Sequence, residues 1–319
     1  MRTLSQLVAL WVAAALAACS VKPATFMLGD GQFADASQAC AMTQDCASGV
    51  CQSNVCVAAS CTDGTKNSDE TDVDCGGSCG PCAAGKACAV DTDCAAAGIC
   101  DTKLCRVPRS CAEILQHIPG SRDGVYSIAP TGVAGPFSVV CDMTRDNGGW
   151  TLLLKASGDS TLNYNASAWT DGNLLNATDL TTQAGNAKYQ SFLSLPVTTL
   201  RGELDGFRYT QTFANMTAQQ IFTGNAAIVM DYSNFNFGVP NWSTQPYCQI
   251  FGVNTPFDYA RTRFGWSANE QNDCTSNDTA IGLGLIDNAS GNLHGAGYEC
   301  LAGSCSAGTV AGFHPFVRF

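Results

Sequence analysis

Two cysteines, Cys79 and Cys82, enclose Gly-Pro in a Cys-x-x-Cys sequence of the kind that carries out thiol–disulfide exchange. Such a redox site begins a helix after a buried strand, because the helix N-terminus lowers the pKa of the first thiol. Here the preceding Cys-Gly-Gly-Ser has no strand pattern, and the glycines and Pro81 favour tight turns. The sequence therefore favours structural cysteines, and a redox enzyme is the alternative.

Two metal ions are further alternatives for the same segment. Zinc needs cysteine pairs at finger-like spacing, whereas Cys75, Cys79 and Cys82 are separated by three and two residues. Calcium prefers carboxylate oxygens, and residues 69–74 read Asp-Glu-Thr-Asp-Val-Asp, but without the order of an EF-hand loop. The sequence therefore favours disulfides and a solvated acidic loop over either metal.

The segment 40–105 holds 12 of the 19 cysteines and contains no Phe, Trp or Tyr. It cannot bury enough apolar area to offset its conformational entropy, so cross-links must supply its order. Residues 40–56 and 88–105 share one pattern: Cys-Ala, three residues, Asp-Cys-Ala, a short loop and two more cysteines. This disulfide-rich stalk with two related repeats resembles the small Cys-rich stalk repeats of secreted bacterial proteins.

The N-terminus has the features of an export signal. A charged start and a mostly apolar run from Leu4 to Ala18 precede Cys19, which predicts a leader over residues 1–18. The small residues before Cys19 resemble the lipobox of bacterial lipoproteins, which implies lipidation of Cys19 and a tether over 19–39. An ordinary cleaved signal is the alternative. We expect an exported protein, lipid-anchored to a bacterial (outer) membrane, at the cell surface or in the periplasm.

Charge and motifs exclude several functions. The formal net charge of −11 argues against nucleic acid as a partner, because phosphates require a basic surface. No His-Glu-x-x-His or phosphate-loop sequence is present, and the Gly-x-Ser-x-Gly match at residues 76–80 has no strand pattern before it, as a nucleophile elbow would require. The paired carboxylates of a glycosidase cannot be judged from spacing alone, but nothing points to them. We therefore predict a protein that is not an enzyme.

Residues 110–319 contain all eight tyrosines and four of the five tryptophans, enough for one globular core. Ser110 and Glu113 form a capping-box pattern that predicts a helix to about His117. Alternating or apolar stretches and turn residues predict the remaining elements. Strands are expected in 123–130, 137–143, 147–156, 202–213, 225–232 and 312–319, and helices in 186–195 and from Thr217.

The order of elements around Cys111, Cys141-Asp-Met and Gly148-Gly-Trp resembles the opening of fibrinogen C-terminal domains. The tail from Cys274 resembles intelectins, which are fibrinogen-related lectins. The resemblance implies an α+β fold with an antiparallel core sheet, short helices and long loops, preceded by a small disulfide-rich irregular region. It also implies a Cys111–Cys141 disulfide. The other cysteines of the domain then pair most simply as Cys248–Cys274 and Cys300–Cys305.

In intelectins, calcium held by oxygen and imidazole ligands binds vicinal hydroxyls of a sugar. By this resemblance Asn277 and Asp278 occupy the positions of a Glu and a His ligand. The full set of candidate calcium ligands is Asp273, Asn277, Asp278, Asp287 and Glu299, with Glu270, Asn272 and Asn288 nearby. Two aromatic side chains enclose the sugar in intelectins, and the nearest candidates here are Tyr298, His294 and Trp266.

The three histidines add little to this site. His117 is expected to be a surface or cap residue, His294 a loop residue that could line a pocket, and His314 a packed residue of the last strand. We therefore expect a surface protein that binds a cell-surface glycan or protein ligand, with calcium as cofactor. The alternative is a purely structural or adhesive protein without a sugar site.

Overall fold

The computed structural model describes residues 38–204, 207–224, 228–231, 247–256, 259–273, 275, 277, 279–287, 291–300, 308–309 and 316–318. The chain divides into two compact units, Met1–Cys79 and Gly80–Phe319. Cys19 and the predicted leader lie outside the described residues. Within the part of the chain that is described, no helix has the length and apolar character needed to span a bilayer.

Helices are few and short, and strands dominate. The α-helices of the described residues are α1 (Cys111–His117), α2 (Gln190–Ser194) and α3 (Ala218–Thr223). The strands are β1 (Cys51–Gln52), β2 (Val55–Cys56), β3 (Ile99–Asp101), β4 (Leu104–Arg106), β5 (Gly124–Ile128), β6 (Phe137–Asp142), β7 (Trp150–Leu152), β8 (Leu154–Lys155), β9 (Ala187–Lys188), β10 (Pro196–Leu204), β11 (Phe207–Thr217), β12 (Ile228–Asp231), β13 (Tyr247–Val253), β14 (Ala260–Asn269), β15 (Thr279–Asp287), β16 (Asn292–Cys300), β17 (Gly308–Thr309) and β18 (Phe316–Arg318).

Disulfides order the Cys-rich segments. They join Cys40 to Cys51, Cys46 to Cys56, Cys61 to Cys79, Cys88 to Cys100 and Cys94 to Cys105. The two segments that share a sequence pattern thus have the same connectivity, first cysteine to third and second to fourth. Each closes an antiparallel hairpin, β1–β2 in one and β3–β4 in the other.

An aspartate holds the corresponding turn in each of these two segments. One carboxylate oxygen of Asp45 accepts hydrogen bonds from the backbone N–H groups three and four residues before it. Asp93 does the same in the other segment. These aspartates belong to the Asp-Cys-Ala pattern of the sequence, so that pattern encodes a backbone turn.

Carboxylates also order the backbone of residues 60–78. Asp63, Asp69, Glu70 and Asp74 each accept a hydrogen bond from a backbone N–H group of this segment. Within residues 69–74, expected to be a solvated acidic loop, Asp69 is exposed as expected, whereas Glu70 is buried and accepts a backbone N–H.

Ion pairs connect the second Cys-rich segment to helix α1, and both belong to the second unit. Arg106 Nη2 lies 2.6 Å from Glu113, and its Nε lies 2.7 Å from Asp101. In the last turn of α1, His117 Nδ1 lies 3.0 Å from Asp91. His117 is therefore a contact residue between these two parts of the unit.

The helix starts predicted from capping patterns are present. Ser110 Oγ accepts a hydrogen bond from the N–H of Glu113 at the start of α1, while the Glu113 carboxylate accepts from the N–H of Arg109. At the start of α3, Thr217 and Gln220 exchange both hydrogen bonds of a capping box.

Two sheets enclose the main core. In one sheet the strand order is β11-β10-β18-β7-β6-β5, and in the other it is β12-β13-β14-β15-β16-β17. All pairs of neighbouring strands in both are antiparallel, which agrees with the predicted α+β fold. A single apolar cluster draws residues from both sheets and includes Trp169, Phe192 and Phe222, whose rings are in contact.

Three element predictions were wrong in detail. Residues 202–213, predicted as one strand, contain parts of β10 and β11, which pair as a hairpin. Residues 186–195, predicted as one helix, contain β9 and only five helical residues in α2, because Lys188 pairs with Leu154 of β8. Residues 147–156 form two strands, β7 and β8, which pair with different partners.

The cysteines of the second unit are described in part. Cys111 is bonded to Cys141, which ties helix α1 to strand β6. Cys248 is also disulfide-bonded. Outside the described residues, or described only in their backbone, are Cys274, Cys300 and Cys305.

A buried arginine links strands β10 and β6. The Arg201 side chain is fully buried, with Nη2 2.5 Å from Asp142 and Nη1 3.1 Å from Asp146. Its guanidinium stacks on Trp150, 4.6 Å from the ring centre. Burial alone would raise the pKa of Asp142, but hydrogen bonds from Arg145 N–H and Arg201 hold that pKa below its ordinary value.

Replacing this arginine tests its role in the fold. We expect Arg201→Met to lower the free energy of unfolding by about 3–5 kcal/mol, because it leaves the Asp142 carboxylate buried without a cation. Arg145→Met is the control: Arg145 is half-exposed, pairs with Glu203, and should change stability by about 0–1 kcal/mol. Urea unfolding measures both, and equal losses in the two variants would contradict the assignment.

Candidate functional site

The Cys-x-x-Cys sequence does not form a dithiol pair. Cys79 is bonded to Cys61, and Cys82 is itself in a disulfide. A thiol–disulfide oxidoreductase site requires a bond that opens and closes between the two cysteines of the motif. The redox alternative is therefore not supported by the geometry.

The cysteine clusters of the described residues offer no thiolate ligands for zinc. Among the described residues, three groups of side chains are close enough to hold a metal ion, and each group contains at least two cysteines. Every one of these cysteines is in a disulfide. Since the thiolate is the form of cysteine that binds metals, these clusters are structural.

The loop between β14 and β15 contains the predicted calcium ligands. Asp273 is exposed, and its Oδ1 accepts hydrogen bonds from the N–H and hydroxyl of Thr275. Asn277 is fully buried, and its Nδ2 donates to the carbonyl of Cys248 at 3.0 Å. Its Oδ1 is buried and has no hydrogen-bond partner among the described residues, and the same is true of Thr279 Oγ1 at the start of β15.

The backbone brings other predicted ligands near Asn277. Ala260 N–H donates to the carbonyl of Asn277 at 2.8 Å, and Ala260 is also the register partner of Asp287. Glu299 lies opposite Ala280, three residues after Asn277. Only the backbones of Asp287 and Glu299 are described, and Asp278 lies outside the described residues, as does Asn288.

The structure describes only some of the side chains predicted to enclose a sugar. Trp266 is buried and packs against Phe251, with ring centres 4.6 Å apart. The interpretation of Trp266 as a sugar-facing residue was therefore wrong, because it belongs to the core. The side chain of Tyr298 is not described, and His314 lies outside the described residues.

His294 lies in strand β16 and not in a loop, as the sequence suggested. Its Nδ1 is 3.3 Å from the carbonyl oxygen of Gly158, and the next residue, Gly295, donates its N–H to the Asp159 carbonyl at 2.6 Å. The first residues of a long polar loop, 157–186, thus lie against β16. His294 therefore lies on the same strand as Glu299, against this loop.

Two buried lysines hold the polar loop, and sequence reasoning missed both. Lys155 donates to Asp179 at 2.6 Å, and Lys188 donates to Asp171 at 2.9 Å. Both lysine side chains are fully buried, which lysine tolerates almost only when paired. Their aspartate partners lie 24 and 17 residues away in the sequence, so no local pattern predicts these ion pairs.

Three aspartates of the polar loop are strongly acidic. Hydrogen bonds from Lys188 and Asn173 lower the pKa of Asp171 to about 2, and those from Lys155 and Thr181 do the same for Asp179. Burial alone would raise the pKa of Asp159, but donors that include Thr161 and Asn186 bring it to about 2. The loop geometry therefore depends on these groups being ionised.

A separate cavity of about 560 Å³ lies beside the edge strand β5. Val125, Val140 and Leu180 supply apolar surface, and an ion pair between Arg145 and Glu203 lies at its rim. No sequence pattern pointed to it. Its lining residues are Asp123, Gly124, Val125, Val140, Cys141, Asp142, Arg145, Leu180, Thr181, Thr182, Gln183 and Glu203.

Comparison with known proteins agrees with this fold. Residues 107–238, less than half of the chain, match the family model described as fibrinogen beta and gamma chains, C-terminal globular domain. The chain contains a fibrinogen C-terminal-like domain. Its helix α1, the Cys111–Cys141 disulfide and the strands that follow all fall within the matched residues.

Individual relatives show the same similarity over short stretches. The fibrinogen alpha chain of Mus musculus is 34% identical over 115 residues, which are 34% of this chain and 14% of that protein. The fibrinogen C domain-containing protein 1 of Xenopus tropicalis is 41% identical over 58 residues, 18% of this chain and 12% of that protein. With its many disulfides, a fibrinogen-like chain of this kind indicates an extracellular protein.

The acidic pKa values make a prediction about the polar loop. Because these pKa values are lowered on folding, the stabilisation is complete above the ordinary aspartate pKa of about 3.9 and is lost as pH falls towards about 2. We expect a flat melting temperature from pH 7 to about 4.5 and a steep decline below that range.

The Asp171→Asn variant separates this effect from general acid denaturation. It should melt at a lower temperature at pH 7, because Lys188 loses its carboxylate, and its decline in acid should be shallower. Near-UV circular dichroism during thermal unfolding measures both. Parallel pH profiles for the variant and the wild type would contradict the role of Asp171.

Proposed function

We propose that this chain is an exported surface protein whose fibrinogen-like domain binds glycans or other surface ligands with the help of calcium, without chemistry on the ligand. The observation that carries the proposal is the buried Asn277 Oδ1. Within the part of the chain that the structure describes, this oxygen has no hydrogen-bond partner, although a buried acceptor without one costs about 1–3 kcal/mol. A bound cation would satisfy this oxygen. Thr279 Oγ1, two residues on, adds a second such oxygen.

The donor set suits calcium. Calcium takes six to eight oxygen ligands in a flexible shell, from carboxylates, amide carbonyls and water. Asn277, with Asp273, Asp278, Asp287 and Glu299, would hold the ion. When bound, calcium can accept two further oxygens from a ligand such as a sugar diol. The likeness of this tail to intelectins supports a saccharide as that ligand.

Protein adhesion without a sugar site is the second candidate. The cavity beside β5 favours it, because an apolar floor with a charged rim suits a peptide better than a saccharide. Domains of the fibrinogen type include ligand-binding surface domains. Lipidation at Cys19 would hold either form of the protein at a membrane through acyl chains.

Calcium titration tests the metal part of the proposal. We expect the purified full chain to bind calcium in isothermal calorimetry at pH 7, and Asp278→Asn to weaken binding at least tenfold because it removes a charged ligand. Asp123→Asn is the matched control, since it removes one carboxylate beside the β5 cavity and should leave affinity within about twofold. Absence of calcium binding by the wild type would refute the proposal.

Glycan-array binding tests the ligand part. Binding that is present with 2 mM calcium, on the order of typical extracellular-site dissociation constants, and abolished by EGTA supports the calcium-dependent lectin. Binding to protein ligands that survives EGTA, with no glycan bound, would instead favour adhesion through the cavity.

A further inference from the structure

Two arginines stack on one tyrosine where strand β14 meets the polar loop. The guanidinium carbon of Arg261 lies 4.7 Å from the centre of the Tyr164 ring, and that of Arg263 lies 4.4 Å from it. Arg263 also donates to the Tyr164 carbonyl at 2.7 Å and to Asn254 Oδ1 at 2.8 Å. All three stacked side chains are partly exposed. They form what we call the Arg-Tyr cluster, Tyr164, Arg261 and Arg263.

The positive charge of this cluster is not balanced within the described structure. Neither arginine forms an ion pair with a carboxylate of the described residues, and Arg261 Nε is buried without an acceptor. Burial lowers the pKa of Arg263, and the neighbouring charge of Arg261 lowers it further. By contrast, other arginines of the chain pair with carboxylates: Arg106, Arg109, Arg145 and Arg201.

Two neighbouring arginines without an ion pair to a described carboxylate are unexpected in a chain with a formal net charge of −11. Acidic side chains are abundant, yet none of those described balances the two cations. Two like charges on one ring repel each other, and a bound anion would relieve that repulsion. The Arg261 guanidinium stacks on Tyr164 and forms no hydrogen bond to a described residue, so its two Nη nitrogens can bind an oxyanion in a forked arrangement.

We propose that the Arg-Tyr cluster binds an oxyanion, the carboxylate or sulfate group of an acidic saccharide, with Arg261 as the main contact. Tyr259 lies two residues before Arg261 and exposes 44% of its surface. An exposed aromatic ring beside an unpaired cation suits a saccharide, since the ring packs on the sugar while the cation takes its charged group.

This cluster is distinct from the proposed calcium loop. Ala260 pairs with Asp287 and Arg261 pairs with Ile286, and successive strand residues point to opposite faces of a sheet. Arg261 and Asp287 therefore belong to opposite faces of the β14–β15 pair. The inference rests on the proposed ligand-binding role, because it names the ligand class, but it does not require calcium.

The test measures saccharide binding by the full chain in EGTA, at low salt and pH 7, so that calcium plays no part. Tri-galacturonate offers carboxylates, and its methyl ester is the neutral match; sucrose octasulfate offers sulfate esters, and sucrose is the neutral match. We expect calorimetry to show binding of at least one acidic saccharide and of neither neutral one. The acidic saccharide that binds more tightly identifies the preferred oxyanion.

The Arg261→Gln variant should weaken that binding about tenfold to a hundredfold, because it removes a charge-assisted forked contact. Arg122→Gln, an exposed arginine near β5, removes the same charge and should change affinity less than twofold. Thermal unfolding confirms that both variants fold, and Arg261→Lys, which keeps the charge but not the planar fork, should still lose most of the affinity.

Failure to bind either acidic saccharide, or equal losses in Arg261→Gln and Arg122→Gln, would overturn the inference. Loss of calcium-dependent glycan binding in Asp278→Asn, with EGTA-resistant acidic-saccharide binding intact, would leave this inference standing. Calcium-dependent glycan binding by the wild type, without any acidic-saccharide binding in EGTA, would refute this site and leave the calcium proposal standing. The two sites therefore fail independently.

Discussion

Long stretches of this chain hold too few apolar side chains to fold by burial, and this constraint shapes the rest of the structure. Between residues 40 and 105 the chain is fixed by disulfides and by aspartates that accept backbone N–H groups, as Asp45 and Asp93 do. In the polar loop 157–186, buried lysines and their aspartate partners have the same effect. In residues 40–105 these contacts take the place of a core, whereas in the polar loop they add to the burial of Trp169 in the main apolar cluster.

The predictable part of the structure was the part encoded locally. The capping residues Ser110 and Thr217 start helices at the expected positions, because a cap needs only its own neighbours. The hairpin of β10 and β11 could also have been found, since Asp205-Gly206 is a strong hairpin signal in the sequence. The alternation of apolar and polar residues over 202–213 nevertheless predicts one strand.

The features that the sequence could not predict depend on contacts between residues far apart in the chain. Arg201 is buried because Asp142, 59 residues away, accepts its hydrogen bond, and an isolated arginine in a strand carries no sign of this. Trp266 had the residue type for a sugar contact, but its strand position turns it into the core beside Phe251. The candidate site was predicted as a loop rich in oxygen ligands. The Asn277 oxygen, which has no partner in the described part of the chain, and the Arg-Tyr cluster emerged only from the folded geometry.

Hydrogen exchange across residues 40–105, compared between the oxidised chain and the chain reduced under otherwise native conditions, tests the central claim most directly. If covalent bridges supply the order of this segment, amides such as Cys105 N–H, which donates to the Lys86 carbonyl, should be protected only in the oxidised chain. Buried amides of β14 and β15 should remain protected in both. Persistent protection of residues 40–105 after reduction would contradict the account.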